Sequence, residues 1–64
     1  TGPVARGDAA TVAAHVAALD ASTPAPAVAA YVAMARLTAD RALAAGILRP
    51  ADAERLLDVL GGRP

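Results

Sequence analysis

The chain has 64 residues with six arginines against six acidic residues, no lysine, no cysteine and a formal net charge of zero. That length holds one small domain at most, and the missing cysteines with a lone histidine leave neither disulfides nor a structural metal to support it. Zero net charge without lysine argues against nucleic-acid binding, and no apolar run free of charge or proline is long enough to span a membrane. Alanine dominates the 56% hydrophobic content and Tyr31 is the only aromatic residue. Alanine favours helix but buries little apolar area, so the core expected here is thin and oligomerisation or packing on a larger protein is the remaining source of stability.

Thr1 to Gly7, with Gly2, Pro3 and Gly7, reads as a loop entering a helix. The chain starts at Thr1 without methionine, and no charged segment followed by an apolar run marks a signal peptide. Asp8 is a good N-cap, with Thr11 where a capping box would carry Glu. A first helix is expected over 8–20, with Ala9, Val12, Val16 and Leu19 as its buried stripe and His15 at the edge. Ala13, Ala14, Ala17 and Ala18 form a second, smooth face open to contact from another side.

Residues 21–26 form a proline-containing connector, and because Pro26 disfavours α conformation at Ala25 the central helix is expected over 26–45. At 1.5 Å per residue it is about 30 Å long. Its main stripe is Val28, Tyr31, Val32, Ala35, Ala39, Ala42 and Leu43, with Arg36 and Asp40 together on one flank. The opposite face carries Ala30, Met34, Leu37 and Ala44, which is not a face made for water. Two short neighbours hardly cover both sides, so Tyr31, Met34 and Leu37 are interface candidates. Gly46 suits a left-handed helix stop with Ile47 as its apolar contact. Pro50 then opens a third helix over 50–60, with Asp52 and Glu54 near its positive end and Ala53, Leu56, Leu57 and Leu60 buried. Gly61 and Gly62 end it, and Arg63 and Pro64 read as tail. The fold class is therefore all-α, in three helices.

Chemistry-bearing residues are sparse. His15 is the only histidine, and it reads first as an edge-of-core residue and second as a group facing a substrate. With no second histidine and no cysteine, no metal site is expected. Arg6-Gly7-Asp8 matches a cell-adhesion tripeptide, but Asp8 is already used as a cap. Arg6, ahead of a helix N-terminus, reads first as an ordinary surface arginine and second as a group that meets an anion. Ser22 lies in the connector without a nearby base, and its neighbours are not those of a phosphopantetheine attachment site.

Thr1-Gly2-Pro3-Val4-Ala5-Arg6-Gly7-Asp8, followed by Thr11-Val12 and His15, resembles a segment of a bacterial family of NAD(P)-dependent oxidoreductases. Tyr31, Ala35, Arg36, Thr38, Asp40-Arg41-Ala42 and the leucine-rich last helix continue the likeness over nearly the whole chain. In that family a Rossmann-like domain precedes a helical domain similar to the C-terminal domains of 6-phosphogluconate dehydrogenase, pyrroline-5-carboxylate reductase and ketopantoate reductase relatives. The resemblance implies that residues 1–64 are the C-terminal part of such a helical domain in a longer cytoplasmic enzyme, making a homodimer contact and closing the substrate side of the nucleotide cleft. It implies NAD(P) for the full-length parent and none bound by this chain, which lacks the glycine-rich dinucleotide fingerprint. Thr1, Arg6, Asp8 and His15 are then the substrate-binding candidates, and no catalytic residue is transferred. The alternative is a free-standing helical protein–protein interaction module without catalytic activity.

Overall fold

A computed structural model of the chain describes residues 2–61, as four helices: α1 (Pro3–Arg6), α2 (Ala9–Ser22), α3 (Ala25–Ala44) and α4 (Pro50–Gly61). No strand occurs among the described residues, and the chain is all-α. Thr1 and the tail beyond Gly61, to which a candidate binding residue and a helix end had been assigned, lie outside the described residues.

The additional helix is α1. The opening segment expected as a loop contains a single helical turn, begun by Pro3 at the first helical position and stopped by Gly7 at φ 74°. Proline presets the helical φ and glycine alone takes the left-handed region without penalty, so the four residues Pro3–Arg6 close one turn. A turn that short carries no periodicity, which is why the sequence pattern does not show it. It buries Val4 in the core.

Asp8 caps α2 as expected, accepting from the Thr11 N–H at 3.1 Å while the Thr11 hydroxyl donates to the same carboxylate at 2.7 Å. The helix runs two residues past its expected end. Ser22 and Thr23 turn their hydroxyls back onto the Ala18 and Leu19 carbonyls, at 2.7 and 2.6 Å, which supplies partners for the last turn. Val12 and Val16 are buried, with Ala9 and Leu19 packed against the core. Ala14, Ala17 and Ala18 stay exposed, so within this chain the smooth alanine face is uncovered.

α3 begins one residue before the expected Pro26, with Pro24 as N-cap. Pro26 falls within the first turn, where its missing N–H leaves no bond unmade, and this outweighs its preference for an extended Ala25. The buried stripe is Val28, Val32, Ala35, Ala39 and Ala42. Leu43, expected with them, is 37% exposed because it lies at the margin of that stripe. Gly46 (φ 75°) ends the helix in a Schellman arrangement, with Gly46 N–H donating to Leu43 O at 3.1 Å and Ile47 N–H to Ala42 O at 3.0 Å. The side chain buried behind this turn is Leu48, whereas the expected Ile47 is 65% exposed.

α4 places Ala53, Leu56 and Leu60 against both α2 and α3, and with Val12 the two leucines are the largest fully buried side chains. Leu57, expected to be buried, is 38% exposed. It is rotated about 100° from Leu56, beyond the edge of the narrow stripe that two facing helices cover. Alanines at 35, 39, 42 and 53 let the backbones approach, and the whole measures 34 × 22 × 18 Å.

Candidate functional site

Two places gather the polar side chains. The first is the corner where the α1–α2 turn meets the start of α4. Gly7 is pressed onto α4 here: a Cβ at this position would lie 2.8 Å from Asp52 Cβ and 3.0 Å from Leu48 Cδ1. The turn is closed like that at Gly46, with Gly7 N–H donating to Val4 O and Asp8 N–H to Pro3 O. Arg6 ends α1 rather than lying in a loop, and its guanidinium is 3.8 Å from the Asp8 carboxylate.

Asp52 is the buried polar residue of this corner. Arg49 Nε donates to its Oδ2 at 2.9 Å, and Arg55 Nη2 donates to Oδ1. The hydrogen bond from Arg49 holds the Asp52 carboxyl below the ordinary aspartate value of 3.8, against desolvation and helped by the charges of Arg49 and Arg55. Asp8 is also held below that value, first by the Thr11 hydroxyl, then by the Thr11 N–H, with Arg6 adding a weaker attraction. Local sequence showed Asp52 only as an acid near a helix N-terminus. That Gly7 and two arginines enclose it follows from tertiary packing.

The second place is the seam between α2 and α3. His15 is exposed and lines a shallow groove with Ala18, Leu19 and Tyr31, the last half-buried against the core. His15 lies about 10 Å along α2 from Asp8. The substrate-side candidates thus separate: Arg6 and Asp8 come together, whereas His15 joins Tyr31. A further groove of about 420 Å³ lies between α3 and α4, lined by Val28, Val32, Arg36 and Leu60 among others. Arg36, expected on a flank with Asp40, reaches across to the Leu60 carbonyl at 3.5 Å. Among the described residues no three His, Asp or Glu side chains converge as metal ligands would.

The third surface is apolar. Met34 is 63% exposed and Leu37 46% exposed, both on the side of α3 turned away from its buried stripe. Among the described residues no helix is long and apolar enough to cross a membrane. Such an arrangement defines a small all-helical packing module, cored by α4 on α2 and α3, with one long helix covered on one side only. Residues 1–38, which take in α1, α2 and most of α3, match the family described as a domain of unknown function, DUF2520, and the chain belongs to that family. No curated protein and no solved structure matched it.

Proposed function

We propose that this chain is the helical dimerisation and substrate-side domain of an NAD(P)-dependent oxidoreductase, packed in the longer protein against an upstream Rossmann-like domain. The observation that carries the packing role is the exposure of Met34 and Leu37 together on one side of the longest helix, turned away from its buried stripe. Large apolar side chains grouped on one helix face mark an interaction surface. The oxidoreductase assignment rests on the resemblance of the opening octapeptide.

Neither left-handed glycine among the described residues fits a dinucleotide site. Gly7 and Gly46 take the left-handed conformation, but their N–H groups are spent on the helix carbonyls of Val4 and Leu43. A pyrophosphate site needs such N–H groups turned outward at the start of a helix that follows a strand. On this reading the cofactor belongs to the upstream domain, with the Arg6–Asp8 corner and, apart from it on α2, His15 as the substrate-side candidates.

The reading frame ahead of Thr1, followed by binding and sedimentation measurements on the full-length protein, tests this. A strand running into a glycine-rich loop, quenching on NADPH or NADH titration and a dimeric mass are expected. A start codon close to Thr1 with no dinucleotide binding would replace this reading by the free-standing interaction module.

A further inference from the structure

We draw no further inference here: the strongest candidate, the groove between α3 and α4 lined by Val28, Val32, Arg36 and Leu60, carries nothing, because Arg36 already turns to the Leu60 carbonyl and nothing in the structure shows what would occupy it.

Discussion

Gly7 and Asp52 touch so closely that a methyl group on Gly7 would lie 2.8 Å from Asp52 Cβ. The two residues belong to different ends of the chain, and their contact ties the one-turn α1 and its Schellman stop to the first turn of α4. The opening octapeptide is thereby a structural clasp as well as the entry to α2.

Gly7→Ala and Gly46→Ala separate backbone strain from packing. Both positions have positive φ, but nothing lies within 4 Å of a Cβ at Gly46. Gly46→Ala is expected to cost about 1–2 kcal/mol, the left-handed penalty alone. Gly7→Ala adds roughly 1–3 kcal/mol of overpacking. Urea unfolding of both variants measures the difference, and equal losses would remove the clasp.

Neighbouring leucines on α4 are predicted to differ sharply. Leu56 is fully buried while Leu57 is 38% exposed. Leu56→Ala should cost about 2–5 kcal/mol, enough to unfold much of a chain this small, and Leu57→Ala about 1 kcal/mol or less. Thermal melts read both.

Acid should destabilise the fold through Asp8 and Asp52. Both carboxyls are held below 3.8 in the folded chain, so their contribution is complete above the unfolded value, about 3.9, and is lost as pH falls through the lower folded values. The urea midpoint is expected to drop between pH 6 and pH 3. Asp52→Asn should show a smaller drop than the natural chain, because one of the two linked groups is gone. An identical drop in both would show that Asp52 contributes nothing to it.

Arg6→Ala tests the substrate-side assignment. The Arg6–Asp8 pair is solvent-exposed, with side chains 53% and 38% accessible, so loss of that pair should contribute little to stability. On the proposed oxidoreductase reading, the KM of the full-length protein for an anionic substrate should rise about tenfold, the worth of one charge-assisted hydrogen bond. An unchanged KM would take Arg6 out of the site.

By itself the sequence determined three of the four helices and the residues of their buried stripes to within one or two positions. Helix periodicity, proline starts and glycine stops are local properties, and Val12, Val16, Val28, Val32, Leu56 and Leu60 are buried as their spacing required. The uncovered Met34 and Leu37 were legible too, since a helix apolar on opposite faces needs more neighbours than two short helices provide. Only the tertiary structure decided the rest. α1 is too brief to carry a period. Which of Leu56 and Leu57, or of Ile47 and Leu48, turns inward depends on where a second helix passes, a few tens of degrees of rotation that a wheel does not resolve. Asp52 became a buried, doubly paired carboxylate because α4 packs on the Gly7 turn, and His15 came to share a groove with Tyr31 because α3 packs on α2.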